Sequence, residues 1–244
     1  MNKKIILFSS VIVIMLVLIF AFLSCKDKNT YTIKGQLEGG ENKFLVLMDL
    51  KGENPKVVDT IFLSSKGKFS KKESLKEKSL FILQADKSFI TICPEKKEKI
   101  RIEGKFEDFA SNYKIKGSKE SEDLQLLAQR RIKFNNDFIE FQKQYNQASG
   151  KEKQYLFREY AMRSKQAFKE EKQFLSKYIN DNKGKLSTII ALYTELLGEP
   201  LFSIQEDEQI YKIVLEGLEK TLPNNPNTLK IKNILTSSKQ SKEK

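Results

Sequence analysis

The stretch "YTIKGQL", residues 31–37, introduces the pattern that decides the first half of the fold. Its apolar residues Tyr31, Ile33 and Leu37 occupy odd-numbered positions, and a period of two is typical of a β-strand with one buried face. The residues that follow, "EGGEN" at 38–42, favour a turn. We therefore predict a strand over residues 31–37 that ends at a turn.

Short apolar segments of the same kind recur as far as residue 116. We predict further strands at residues 43–48, 56–63, 79–84, 89–93, 99–103 and 113–116, and a turn at 64–68 before Phe69. Seven or eight short strands indicate an antiparallel β-sandwich or small barrel over residues 30–117. Pro94 ends one strand, so Cys93 is predicted to be a small core residue rather than a reactive thiol.

From residue 118 the apolar residues follow a helical repeat instead. Ser121 is expected to cap the first helix. The repeat comprises Leu124, Leu127, Phe134, Phe138, Phe141 and Tyr145, with Arg131 as a break. A second helix is expected over about residues 151–180. Its inward side chains are expected to be those of Phe157, Ala161, Phe168, Leu175 and Tyr178 or Ile179. The short connection "QASG" predicts an antiparallel hairpin, and we interpret its aromatic stripe as core packing rather than a ligand site.

Three shorter helices are predicted at about residues 186–197, 203–222 and 227–235, because glycine and proline interrupt the pattern between them. The helical region then covers residues 118–236, and the polar tail at 237–244 is expected to be disordered. The fold class predicted for the whole is α+β. It consists of an antiparallel β-sandwich or small barrel followed by a helical hairpin and short helices.

The composition excludes several kinds of catalysis. The chain has 244 residues, a formal net charge of +12 and no histidine, so Ser-His-Asp catalysis, Cys-His catalysis and His-ligated metals are excluded. It contains no C-x-x-C, which excludes dithiol redox chemistry. We therefore expect no catalytic residue, no metal site and no cofactor. Lysine and glutamate alternate along the chain, which indicates solvated faces rather than a nucleic-acid site.

The N-terminal residues have the form of an export signal. "MNKK" is basic, residues 5–24 carry no charge, and Cys25 is followed at once by Lys26 and Asp27. Such a segment can be an uncleaved signal anchor, the cleaved signal of a soluble secreted protein or a lipoprotein signal. We favour the lipoprotein signal because only this alternative explains a cysteine at the boundary.

The stretch "FLSC" at 22–25 resembles the bacterial lipobox, in which the cysteine is lipidated and the chain is cut before it. The resemblance implies a signal peptide over residues 1–24, cleavage between Ser24 and Cys25, lipidation of Cys25 and a tether over residues 25–29. The protein is then expected in the bacterial cell envelope, anchored to a membrane that we interpret as the outer membrane. It would face the periplasm or the cell surface.

Several short motifs occur in an order that resembles a known family. They are "IKGQL" at 33–37, "VDT" at 58–60, "GKF" at 67–69, "PE" at 94–95, "IRIEG" at 100–104 and "KGS" at 116–118. This order is similar to the N-terminal domain, called domain of unknown function 4369, of thioredoxin-like thiol–disulfide oxidoreductase lipoproteins of the Bacteroidota. In longer relatives a thioredoxin fold with C-x-x-C follows the helices. The resemblance therefore implies the β domain and helices on a lipid anchor, without that catalytic module.

Three functions compete on this basis. The favoured one is a non-catalytic, membrane-tethered module that binds a protein partner, for example a separate thioredoxin-like protein. The alternative is a lipoprotein that holds a glycan, peptide or lipid ligand between the sheet and the helices. An enzyme is the third, but no catalytic motif supports it. Asp59 is expected to form hydrogen bonds rather than to catalyse, and nucleic acid is not expected as a partner.

Overall fold

Eight strands come first in the part of the chain that the computed structural model describes, which is residues 29–51 and 54–242. They are β1 (Thr30–Glu38), β2 (Phe44–Asp49), β3 (Lys56–Phe62), β4 (Lys68–Ser74), β5 (Phe81–Ala85), β6 (Ser88–Ile92), β7 (Lys99–Lys105) and β8 (Tyr113–Lys116). Seven of them overlap a strand that the sequence pattern predicts, and β4 follows the turn predicted at 64–68.

The strands form two four-stranded sheets that enclose one core. Sheet A has the order β4-β1-β7-β8, and sheet B has the order β3-β2-β5-β6. Inward residues of both sheets, such as Ile33 and Leu83, are fully buried. The predicted α+β class is confirmed, but sheet A is mixed because β1 and β7 run parallel. No hairpin joins these two strands, since all of sheet B lies between them in sequence, so nothing forces them to be antiparallel.

Helices make up most of the remaining chain. They are α1 (Lys119–Gln147), α2 (Gly150–Asp181), α3 (Ser187–Leu192), α4 (Glu208–Thr221) and α5 (Pro226–Lys242). The predicted cap at Ser121 is wrong, because Ser118 caps α1 and its hydroxyl accepts the backbone N–H of Ser121 at 3.5 Å. The hydroxyl of Ser121 instead accepts the backbone N–H of Cys93 at 3.0 Å, and so ties α1 to the end of β6.

The predicted antiparallel hairpin is formed by α1 and α2, but its second helix presents a different face. Phe157 and Ala161, which were expected to point inward, are exposed. Leu156 and Tyr160 line the space between the helices in their place. The reason is that the C-terminal half of α2 packs on α3 and α4 as well as on α1, whereas its N-terminal half faces α1 alone. The buried side of α2 therefore changes along its length.

The C-terminal elements differ from prediction in three places. The helix expected at 186–197 is the short α3 followed by a hairpin of two-residue strands, β9 (Glu195–Leu196) and β10 (Glu199–Pro200). The helix expected from 203 begins at Glu208. Helix α5 continues to Lys242, so residues 237–242 of the predicted disordered tail are helical.

The helices enclose a second core beside sheet B. Leu80 and Cys93, at the ends of β5 and β6, pack in this core with Leu175, Leu192 and other residues of the five helices. None of the helices in the described part of the chain is long and apolar enough to cross a membrane.

Candidate functional site

The hairpin of α1 and α2 extends beyond both cores. Its helices contain 29 and 32 residues, which corresponds to lengths of about 44 and 48 Å. All residues between positions 132 and 170 are described, and none of them is fully buried. We call residues 132–170 the distal hairpin.

Aromatic rings separate the two helices of the distal hairpin. The ring of Phe141 stacks on that of Tyr160, with centroids 3.8 Å apart and planes 13° apart. Phe138 lies 5.4 Å from the same tyrosine ring, and Phe134 meets Phe168 edge-on at 5.1 Å. Because large rings rather than small side chains fill the seam, a groove of about 470 Å³ remains beside them.

This groove, which we call the aromatic groove, has the anatomy of a protein-binding surface. Phenylalanines of α1 form its floor with Leu156 and Tyr160 of α2, and a polar rim surrounds them. The rim comprises Asp137, Glu140, Gln144, Glu159, Arg163 and Ser164. Protein interfaces typically combine an apolar, aromatic-rich centre with a polar rim. The aromatic stripe predicted as core packing is therefore only half-buried, and one side of it remains open.

Large apolar side chains are also exposed elsewhere on the distal hairpin. Ile139, Tyr155, Phe157 and Met162 have exposed fractions between 59% and 69%. Aromatic residues and methionine are enriched in protein interfaces.

Arg130 fixes the base of the hairpin. Its Nε donates to the two carboxylate oxygens of Glu171 at 3.1 and 3.0 Å. Its guanidinium group also lies over the ring of Phe174, 3.7 Å from the centroid. The guanidinium of α1 is thus held by a carboxylate and by a ring of α2, and this fixes the rotation of one helix relative to the other. The aromatic groove therefore stands on a fixed base.

A buried ion pair joins the helices to the β-sandwich. The carboxylate of Glu120 accepts the backbone N–H of Ser187 at 2.8 Å and lies 2.6 Å from Lys78 Nζ. Burial lowers the pKa of Lys78, but the negative charge of Glu120 and the hydrogen bond to it outweigh burial and raise that pKa above its ordinary value. The lysine stays charged, so the pair acts as a structural tie rather than as an acid–base site.

Cys93 is fully buried, which confirms that it is a core residue. Burial raises the pKa of its thiol well above the usual range, and the negative charge of Glu120 raises it further. The thiolate is the reactive form of cysteine, so Cys93 is not poised for nucleophilic or redox chemistry.

Asp59 forms hydrogen bonds, as predicted, from the middle of β3. Its carboxylate accepts the backbone N–H of Thr60 at 2.7 Å and pairs with Lys71, which lies 3.7 Å from Glu73. The hydrogen bond from Lys71 lowers the pKa of Asp59, whereas burial raises the pKa of Glu73. These charges lie on the inner side of the edge strands β3 and β4, a placement that discourages pairing of the edges with other chains.

Ser24 and Cys25, the predicted cleavage and lipidation residues, lie outside the described residues. Within the described ranges, no group of three or more cysteine and carboxylate side chains is arranged to hold a metal ion.

An apolar surface on the outer side of sheet B was not predicted from the sequence. Phe44, Phe62 and Phe89 are 51%, 75% and 48% exposed, and an open depression of about 860 Å³ lies beside Phe44 and Phe89. The sequence did contain a signal, because the run "FLVLM" at 44–48 is apolar at every position. A strand whose sheet has only one core face would alternate instead.

The fold and the site together define an α+β protein with a β-sandwich, a helical region and a projecting aromatic hairpin. A family model described as "Domain of unknown function (DUF4369)" matches residues 31–124, which span all eight strands and the first turns of α1. The predicted presence of this domain is thereby confirmed. No curated protein and no solved structure was found to match the chain.

Proposed function

We propose that this protein is a lipid-anchored module of the bacterial cell envelope that binds a protein partner and does no chemistry of its own. The observation that carries the proposal is the aromatic groove on the distal hairpin. A groove with an aromatic floor and a polar rim, held on a rigid base and projecting from the molecule, suits an apolar helix or a cluster of apolar side chains from another protein.

The buried groups support a non-catalytic role. The thiol of Cys93 and the carboxylate of Glu120 lie at the junction of the two regions, and both are buried. A catalytic group has to reach its substrate. The groove itself is lined by aromatic and charged surface residues without a nucleophile next to a base.

Membrane anchoring is part of the same proposal and rests on the sequence. Lipidation of Cys25, followed by cleavage between Ser24 and Cys25, would hold the chain through several acyl chains, each of which contributes about 0.8 kcal/mol per buried CH₂ group. The anchor would hold the protein in the outer membrane, with the hairpin facing the periplasm or the cell surface.

A separate thioredoxin-like protein is the partner that the family resemblance implies. This chain contributes no C-x-x-C, so any thiol–disulfide exchange would take place on the partner. The module would then determine where that partner works rather than what reaction it carries out.

Ligand binding between the sheet and the helices is the second candidate, and the geometry favours it less. The space there, lined by Ile82, Leu127 and Ile190 among others, is about 240 Å³. Pockets for small ligands usually measure roughly 300–1,000 Å³. A glycan or peptide would therefore have to displace packed side chains.

Two measurements on the natural protein test the proposal. Intact-mass analysis of protein from its own envelope is expected to find a chain that starts at Cys25 and carries acyl groups. A photocrosslinking amino acid at Tyr155, on the distal hairpin, is expected to give one discrete protein adduct, whereas the same residue at Glu216 on α4 is expected to give none.

Matched variants make the crosslinking test specific. Replacing Phe141 and Tyr160 together with serine removes the stacked floor and is expected to abolish the adduct. Replacing the equally apolar and exposed Phe62 with serine is expected to leave it unchanged. Identical adducts from Tyr155 and Glu216, or an adduct that survives loss of the floor, would show that the groove is not the binding site.

A further inference from the structure

The outward side of sheet A collects positive charge. Along β1, β4, β7 and β8 the inward residues are buried, while the alternate residues face away from the core. Eight of these outward residues are cationic: Lys34, Lys68, Lys72, Lys99, Arg101, Lys105, Lys114 and Lys116. The outward carboxylates of the four strands are those of Glu38 and Glu103. We call this surface the basic sheet face.

The strand register places these cations next to one another. Arg101 lies beside Lys34 of β1 and opposite Lys116 of β8, which gives three neighbouring positive charges across three strands. Within the described residues, no carboxylate forms an ion pair with any of these three side chains. Like charges on facing strand positions are unfavourable for a sheet. Their concentration is therefore not explained by stability and indicates an anionic partner.

This arrangement is compatible with the alternation of charges along the chain. Lysine and glutamate do alternate along the chain, but strand pairing brings the lysines of different strands to one side. Glu73 lies instead on the inner side of β4, so eight cations share the outward side of the four strands with the carboxylates of Glu38 and Glu103. Alternation along a chain therefore does not exclude a one-sided charge distribution in a sheet.

We propose that the basic sheet face lies against an anionic lipid surface and binds the phosphates of its headgroups. The outward residues of its four strands, all of which are described, include no aromatic side chain. Proteins that hold single-stranded nucleic acid usually stack bases on aromatic rings, and readers of duplexes insert a helix or ribbon into a groove. A broad lysine-rich face without rings or protruding elements is instead suited to many headgroups at once.

The predicted anchor would keep this face close to the membrane. Four residues separate Cys25 from Thr30, the first residue of β1, and the five steps between their Cα atoms span at most about 18 Å. Thr32, two residues further on, lies beside Lys99 of β7 and opposite Lys72 of β4. This step of the argument rests on the proposed lipidation, because the anchor leaves the fold from the same sheet that carries the charge.

Footprinting of lysines on the intact protein tests the proposal without any substitution. Full-length protein is reconstituted into vesicles of phosphatidylcholine, and into vesicles in which about a third of the lipid is phosphatidylglycerol, and is then exposed to a soluble amine-acetylating reagent. Lys34, Lys99 and Lys116 are expected to react at least about threefold more slowly on the anionic vesicles. About 1 M salt shortens the Debye length to roughly 3 Å and is expected to remove this protection.

The distal hairpin provides internal controls. Lys143, Lys165 and Lys169 are exposed there and are expected to react equally on both kinds of vesicle. A triple variant with Lys34→Glu, Lys99→Glu and Lys116→Glu keeps Lys114 as a reporter on the face. In this variant, anionic vesicles are expected to protect Lys114 no better than neutral vesicles do. A variant with glutamate at the three hairpin positions is expected to keep it.

Equal reactivity of the face lysines on neutral and anionic vesicles would overturn the proposal. A second result would also overturn it, namely protection of the face lysines by duplex DNA but not by anionic vesicles at the same phosphate concentration. The face would then be a nucleic-acid surface. The mass of the N-terminal residue is read from the same samples. An unacylated Cys25 would refute the proposed anchor, whereas the vesicle comparison would still decide whether the face binds anionic lipid.

Discussion

Gly35 determines how closely β1 and β7 approach each other. A Cβ atom at this position would lie 1.7 Å from the carbonyl oxygen of Ile102 and 2.7 Å from its carbonyl carbon. Both atoms belong to the backbone of the paired strand, so they cannot move aside unless the two strands separate. This explains in physical terms why the motif "IKGQL" has a glycine at its centre.

We expect Gly35→Ala to lower the free energy of unfolding by at least about 3 kcal/mol, because the added methyl group forces β1 away from β7. Urea unfolding measures this change. Ser70→Ala on the neighbouring strand β4 is the matched control, since Ser70 faces solvent, and it should stay within about 0.5 kcal/mol of the wild type. If Gly35→Ala were as stable as Ser70→Ala, β1 and β7 would accommodate the added methyl group, and the close approach of the two strands would not require glycine.

The cap of α1 marks the limit of prediction at the scale of single residues. Ser118 and Ser121 are both suitable cap residues with acidic residues after them, and their local sequences do not distinguish them. The distinction comes from Cys93, whose backbone N–H donates a hydrogen bond to the hydroxyl of Ser121. A contact between residues far apart in sequence is invisible to a local pattern.

At the scale of elements, strands were easier to predict than helix faces. Alternation is a local property, and it located seven of the eight strands of the β-sandwich; β4, in which lysine and glutamate occupy inward positions, was not named. The inward face of α1 was also predictable, because Phe134, Phe138 and Phe141 all pack against a single neighbouring helix. The face of α2 was not, since its C-terminal half has three helices to pack on and its N-terminal half has one. The number of neighbours is a tertiary property.

The distal hairpin is expected to open more readily than its base. Residues 135–165 contribute no side chain to either core, and a pair of isolated helices gains little stability from propensity alone. Hydrogen exchange measured by mass spectrometry should therefore find amides of residues 135–165 exchanging at least about tenfold faster than those of residues 172–180. The segment 172–180 is the control within the same helix, because Leu175 and Ile179 are buried in the second core.

Protection of the distal hairpin equal to that of its base would contradict this expectation. It would mean that another surface covers the aromatic groove in the purified protein, and repeating the measurement at lower protein concentration would identify self-association as the cause. The predicted difference also has a functional meaning, since a groove that loses mobility when it binds its partner should gain protection in the complex.

At the scale of the whole molecule, the basic sheet face and the distal hairpin belong to different regions that one buried junction holds together. The ion pair of Glu120 and Lys78 and the hydrogen bond from the Asn225 side chain to the Lys78 carbonyl, at 3.3 Å, connect the helices to the end of sheet B. A contact at the membrane and a contact with a protein can then be made by one rigid body. The sequence predicted both regions but not this junction, because its residues are distant along the chain.

The ionisable groups of both cores favour the folded state most at neutral and mildly acidic pH. The chain has no histidine, so no side chain has an ordinary pKa near 6.5. Burial raises the pKa of Tyr113 to about 12. Burial also raises the pKa of Tyr178 and of the Cys93 thiol. In each case the folded state holds its proton more tightly than the unfolded state does.

The free energy of unfolding is therefore expected to fall as the pH rises from about 10 towards 12, by up to about 1.4 kcal/mol per pH unit for each such group. A group whose pKa is raised on folding contributes its full stability below the unfolded pKa and loses it as the pH passes through the higher folded value. Urea unfolding at a series of pH values measures this slope.

Tyr113→Phe removes one of the groups and should make the alkaline slope shallower, whereas Tyr155→Phe, at an exposed position, should leave it unchanged. An alkaline slope that is the same in all three proteins would mean that Tyr113 ionises without unfolding the β-sandwich, and that water reaches its hydroxyl inside the core.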